Sequence, residues 1–132
     1  MPPLQCIVVT PERTVCEELA AFVALSLYDG EIGIGPGRTP MIGRLGNGEL
    51  RISAAGKTHR FYIEGGFVEV LDNVVSVLTS RAIPAEQLDE AVAKEQLAAA
   101  RARPANTPEL MTLRDRAVNQ SRAQLRVARR VS

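Results

Sequence analysis

At 132 residues, with 45% apolar and 23% charged side chains, the chain has the make-up of one globular domain with room for an appendage. It is long enough to bury a core without disulfide or metal staples. Aromatic residues make up only 4% and tryptophan is absent, which argues against a sugar-stacking platform or a base-stacking surface. The net charge of +1 hides a division: residues 1–100 carry 8 basic and 13 acidic side chains, whereas residues 101–132 carry 8 arginines against Glu109 and Asp115. Two parts with different partners are expected from such a split.

Up to about residue 83 the chain reads as short strands broken by turns. Leu4 to Thr10 is a first strand closed by Pro11, and Arg13 to Cys16 and Leu19 to Leu27 are a second and third. Cys6 and Cys16 lie in these alternating patterns, outside any CxxC or Cys/His cluster. They read as buried reduced thiols, and no metal site is expected. The opening Met1-Pro2-Pro3-Leu4 lacks the regions of a signal peptide, so work in the compartment of synthesis is expected.

Asp29 to Pro40 holds four glycines and two prolines in twelve residues and cannot be a helix interior. The β-branched Ile32 and Ile34, with Met41-Ile42 directly after, make it rigid, close-packed backbone shaped for a partner. It satisfies neither of the glycine patterns that cradle phosphate. Met41 to Leu45 is then predicted as a short strand, Gly46-Asn47-Gly48 as a hairpin turn and Glu49 to Ala54 as a half-buried strand, Leu50 and Ile52 alternating with Arg51 and Ser53. Ala55-Gly56-Lys57 turns into Thr58 to Glu64, with Phe61 and Ile63 on one face. Gly65-Gly66 turns into Phe67 to Leu71, and Asp72-Asn73 into Val74 to Thr79. The single histidine, His59, has no nucleophile pattern beside it and reads as structural or surface. Strands of this number and spacing predict an antiparallel sandwich or barrel.

From Pro84 the period changes. Residues 85–103 are rich in helix formers, Pro104 to Pro108 is a break with Thr107 as cap and Pro108 as first helical residue, and a second helix runs from Glu109 to about Arg130. A helical hairpin follows. Its apolar positions are few (Leu88, Val92 and Leu97; Leu110, Leu113, Val118 and Leu125), and alanines supply the rest. Burial scales with area, so this hairpin is expected to be weakly anchored and able to detach. The arginines of the last helix, Arg114, Arg116, Arg122, Arg126, Arg129 and Arg130, form a basic face. Binding of nucleic acid by that face is the alternative reading.

Five segments in order carry a family resemblance: Val8-Val9-Thr10-Pro11-Glu12-Arg13; Asp29 to Ile34 with Pro36-Gly37 and Pro40; Gly65-Gly66-Phe67-Val68-Glu69-Val70 followed by Asn73 to Leu78; Leu88-Asp89-Glu90-Ala91; and Ala123-Gln124-Leu125-Arg126-Val127. With them the chain resembles the ε subunit of bacterial and chloroplast F-type ATP synthases over nearly its whole length. The resemblance implies an amino-terminal antiparallel β-sandwich (residues 1–83) that binds γ and the c ring, followed by a carboxy-terminal two-helix regulatory domain (residues 84–132). It implies a non-catalytic central-stalk subunit that couples γ to the c ring and inhibits ATP hydrolysis through its last helices. The membrane contact would be peripheral, through the complex, on the cytoplasmic face of the bacterial inner membrane.

By the same resemblance, Tyr28, Asp29, Gly30 and Glu31 would meet the c ring, and Arg38, Thr39, Pro40, Met41 and Ile42 would face γ. The six arginines of the last helix would meet the α and β subunits in an extended state, so nucleic acid is not expected as a partner. Some family members bind ATP through a Leu-Asp-x-x-Arg-Ala run; here Leu88 and Asp89 remain but Val92 replaces the arginine, so neither tight ATP binding nor any cofactor is expected. The chain departs from the family's usual residues at Gly35, Arg38, Gly43-Arg44 and Ser80-Arg81.

Overall fold

The computed structural model describes residues 2–131. Among them nine strands are followed by two helices, with the change at Pro84. The strands are Leu4–Val9 (β1), Thr14–Ala20 (β2), Phe22–Leu27 (β3), Gly30–Ile34 (β4), Met41–Ala54 (β5), Lys57–Glu64 (β6), Phe67–Leu71 (β7), Val74–Leu78 (β8) and Ala82–Pro84 (β9). They build two sheets. One runs β2-β1-β8-β7 and ends on the first residues of β5; the other runs β4-β3, then the rest of β5, then β6 and β9. All pairings are antiparallel except β1 with β8, which is parallel.

Period-2 alternation fills the space between the sheets. Leu4, Cys6 and Val8 of β1, with Val68 and Val70 of β7 on the same sheet, meet Leu50 and Ile52 of β5 and Phe61 and Ile63 of β6 in one apolar cluster. Both cysteines are free thiols, Cys6 fully buried and Cys16 half-buried. Burial pushes the Cys6 thiol up to about 12, so it carries no thiolate at neutral pH.

Two expectations about the strands are corrected, and two strands go beyond what was expected. Gly46-Asn47-Gly48 is no turn: β5 runs unbroken for 14 residues and passes from one sheet to the other there. The glycines provide clearance, because a Cβ on Gly46 would sit 2.8 Å from the Leu27 carbonyl oxygen and one on Gly48 2.5 Å from the Ser26 hydroxyl. The break before β3 falls at Ala21 rather than after Cys16, since β2 continues through Glu17 and Glu18 along the edge of its sheet. Part of the glycine-rich stretch is itself a strand, β4, and the short β9 adds to β6 where no strand was expected. The turn at Asp72-Asn73 stands as predicted, and the one after β5 is tighter than expected, confined to Ala55-Gly56 because Lys57 already pairs with Ala54; all four turn residues have positive φ.

Beyond a single 3-10 turn at Ala85–Gln87, helix Glu90–Arg101 (α1) starts on Asp89, whose side chain accepts from the Ala91 and Val92 amides. Thr107 caps helix Pro108–Val131 (α2) through the Leu110 amide, with Pro108 as first helical residue. The helices pack on each other through Ala93, Leu97, Leu125 and Val118. Val92 and Leu113, expected among these contacts, are about half exposed. The second helix lies on the outer side of β5 and β6, where Tyr62, Ala85, Ala123 and Val127 form a second buried cluster flanked by Ile83 and Leu88.

Candidate functional surfaces

The four residues expected at the c ring form one projecting corner. Tyr28 and Asp29 are the turn between β3 and β4, and Gly30 and Glu31 open β4. Tyr28 is 70% exposed, and the Arg44 guanidinium lies 4.5 Å from its ring centroid. That distance is a cation–π contact between the exposed ring and the first residues of β5. Glu31 is ion-paired at 2.9 Å with Arg51 of β5. Gly43, one of the departures, lets the Leu27 side chain approach, since a Cβ there would be 3.1 Å from Leu27 Cδ2.

The residues expected at γ span a loop and the start of the strand that follows it. Arg38, Thr39 and Pro40 lie in the loop after β4, where the Gly37 amide donates to the Asn73 side chain at 2.8 Å and Arg38 donates to the Gly33 carbonyl at 3.3 Å. Met41 and Ile42 begin β5. Ile42 is 74% exposed and stands beside Glu69 on the outer face of the first sheet. On the same face Phe67 is 57% and Leu78 50% exposed, directly opposite each other on β7 and β8, with Val9 beside Leu78 on β1. A shallow cleft of about 400 Å³ lined by Pro40, Met41, Ile42, Glu69, Val70 and Leu71 runs into this face. No helix covers it. Sequence reasoning missed Phe67 and Leu78, although a signal existed: Phe67 and Leu71 flank Glu69 on the face opposite Val68 and Val70, more apolar area than a wet face needs.

The opposite face of the molecule carries α2 and a buried charge. Glu49, only 5% exposed, accepts from Arg51 at 2.7 Å, from Arg60 and, at 3.2 Å, from Arg130 near the end of α2. Burial raises its carboxyl, but the hydrogen bonds from Arg51 and Arg60 and the charges of Arg60 and Arg130 prevail and hold it below its ordinary value. Of the six arginines expected to form one basic face, Arg130 thus binds the sandwich, Arg129 pairs with Glu90 of α1 at 3.1 Å, and Arg114 pairs with its neighbour Asp115. Arg126 lines a cleft of about 430 Å³ between α2 and the sandwich, near an Asn47–Asn119 hydrogen bond of 2.9 Å. Arg116 and Arg122 are exposed. Glu49 escaped the sequence reading because it looks like a routine polar position of an alternating strand.

Leu88 is spent in the cluster under α2, and one Asp89 oxygen is occupied by two backbone amides. Among the described residues no group of His, Cys, Asp or Glu is placed to hold a metal ion, and no helix is long and apolar enough to cross a membrane.

Residues 3–85 match the family model of the ATP synthase, Delta/Epsilon chain, beta-sandwich domain. An ATP synthase epsilon chain of Rhodopirellula baltica is 49% identical over 126 residues, covering 96% of this chain and 98% of that one. An epsilon chain of Nitratidesulfovibrio vulgaris (strain Miyazaki F) is 44% identical over 82 residues, which cover 62% of this chain and 61% of that one. A chain in the Euglena gracilis mitochondrial ATP synthase, solved as an OSCP/F1/c-ring assembly, shares the fold with a TM-score of 0.85 at 23% identity, over 93% of this chain and 79% of that one. A two-sheet sandwich continuing into a docked helical hairpin, matched by that family model and by an epsilon chain along nearly its full length, places this protein in the ATP synthase delta/epsilon chain family.

Proposed function

We propose that this protein is the epsilon subunit of the central stalk in a rotary F-type ATP synthase. It carries no catalytic chemistry of its own and works by binding. The apolar outer face of the first sheet, with the 38–42 edge beside it, holds γ. The Tyr28–Glu31 corner stands on the polar loops of the c ring, so that the two turn together. The helical hairpin is a brake: docked as here it leaves rotation free, and extended along γ it sets its arginines against the α and β subunits and stops hydrolysis. In a bacterium this places the chain on the cytoplasmic face of the inner membrane, held there by its partners. ATP is no ligand of the hairpin in this reading, because Val92 offers no charge to a phosphate.

The observation that carries the proposal is the joint exposure of Ile42, Phe67 and Leu78 on one outer sheet face that no element among the described residues covers. Large apolar side chains exposed together on one face, interleaved with charged groups such as Glu69 and Arg44, mark a protein interface. Ile42→Asp with Phe67→Asp is expected to abolish co-purification with γ while leaving thermal unfolding of the isolated chain unchanged. Removal of residues 109–132 is expected to raise hydrolysis by the assembled enzyme. Undiminished retention of the double variant on γ, or no activation on truncation, counts against the corresponding half of the proposal.

A further inference from the structure

We propose that Glu31, Arg51, Glu49 and Arg130 form an ion-pair relay through which a cation arriving at the β3–β4 corner loosens the end of the docked hairpin. Arg51 bridges two carboxylates: its Nη2 donates to Glu31 Oε1 at 2.9 Å and its Nη1 to Glu49 Oε1 at 2.7 Å. Arg130 Nη1 donates to the same Glu49 Oε1 at 3.2 Å, while Arg60 takes the other oxygen. One buried carboxylate therefore faces three guanidinium groups, and two of them share a single oxygen.

The strand register forces this crowding. β5 and β6 place Arg51 directly opposite Arg60, a like-charge pair that is unfavourable without an anion beside it. Glu49 is that anion, and Glu31 supplies the second negative charge that balances Arg51. When a lysine or arginine of a partner takes Glu31, the full charge of Arg51 falls on Glu49 Oε1 and on Arg130 beside it. Arg51 and Arg60 are fixed on paired strands in mid-sheet. Arg130 sits near a helix end with 57% of its side chain exposed, so it is the group that yields. Its departure frees the last turn of α2, where the hairpin meets the sandwich.

The identity of the arriving partner rests on the subunit assignment above; the relay itself belongs to the chain alone. It is read by amide hydrogen exchange across residues 119–130 of the isolated full-length protein, with β1 and β8 amides as internal reference. Exposed ion pairs act at the level of a few tenths to one kcal/mol, so Glu31→Gln is expected to speed exchange in α2 about two- to fivefold and leave the reference unchanged. In an Arg51→Gln background the same substitution is expected to have no effect. Exchange at the wild-type rate in Glu31→Gln overturns the relay, as does an equal acceleration with Arg51 absent or in the reference strands. Because no partner is present, this outcome is independent of whether the protein binds γ.

Discussion

At the scale of single residues, backbone clearance decides more than side-chain chemistry. Gly66 follows β6 at a φ of +102°, and a Cβ there would lie 1.9 Å from the Leu78 carbonyl oxygen, a backbone atom that cannot swing aside. Gly35 meets nothing within 4 Å and has no positive φ. Gly66→Ala is therefore expected to destabilise the chain by at least ~2 kcal/mol, whereas Gly35→Ala stays within about 0.5 kcal/mol, both read as shifts in thermal unfolding. Nothing in the sequence separates these two glycines, since each lies in a Gly-rich context and the decisive neighbour is a strand distant along the chain. Glu49 was hidden for a related reason. The two-residue turn at Ala55-Gly56 sets Arg51 opposite Arg60, a register that the expected turn through Lys57 shifts by one, and Arg130 arrives from eighty-one residues away.

Among the elements, the period change at Pro84, the cap at Thr107 and the strands from Lys57 to Leu78 were all legible, because each follows from local patterning. The crossing of β5 between sheets was not. A Gly-Asn-Gly run satisfies the rules for a turn, and only the packing of Leu27 and Ser26 against it shows why glycine is needed in an extended strand. The hairpin follows the same logic of close approach: Ala123 is buried against the sandwich in the Tyr62 cluster, where Tyr62 donates to Glu64 at 2.8 Å. Ala123→Leu overfills that contact at a cost of about 1–3 kcal/mol. The expected result is selective loss of the docked hairpin, seen as faster protease cleavage within residues 108–131 while the sandwich keeps its unfolding midpoint.

For the molecule as a whole, apolar area holds the sandwich together and a charged, polar seam helps bind the hairpin to it, so acid acts on them differently. The Glu49 carboxyl lies below its ordinary value near 4.5, so the stability it lends is fully present above that value and is lost as the pH falls through its folded value. Protonation leaves Arg51, Arg60 and Arg130 without their common counter-charge. On acidification below pH 4.5 the hairpin is expected to release before the sandwich unfolds, giving exchange of α2 amides ahead of any loss of strand signal; simultaneous loss would show one cooperative unit. The continuous β5 has a mechanical consequence. Ile42 near one end and Glu49 with Arg51 farther along are stations on the same extended backbone, with neighbouring strands laddered along its flanks. A pull entering at Ile42 along the strand runs down covalent bonds and loads those ladders in shear, many hydrogen bonds at once, instead of peeling them one by one. The strand is a tie-rod, stiff along the line that joins the two surfaces.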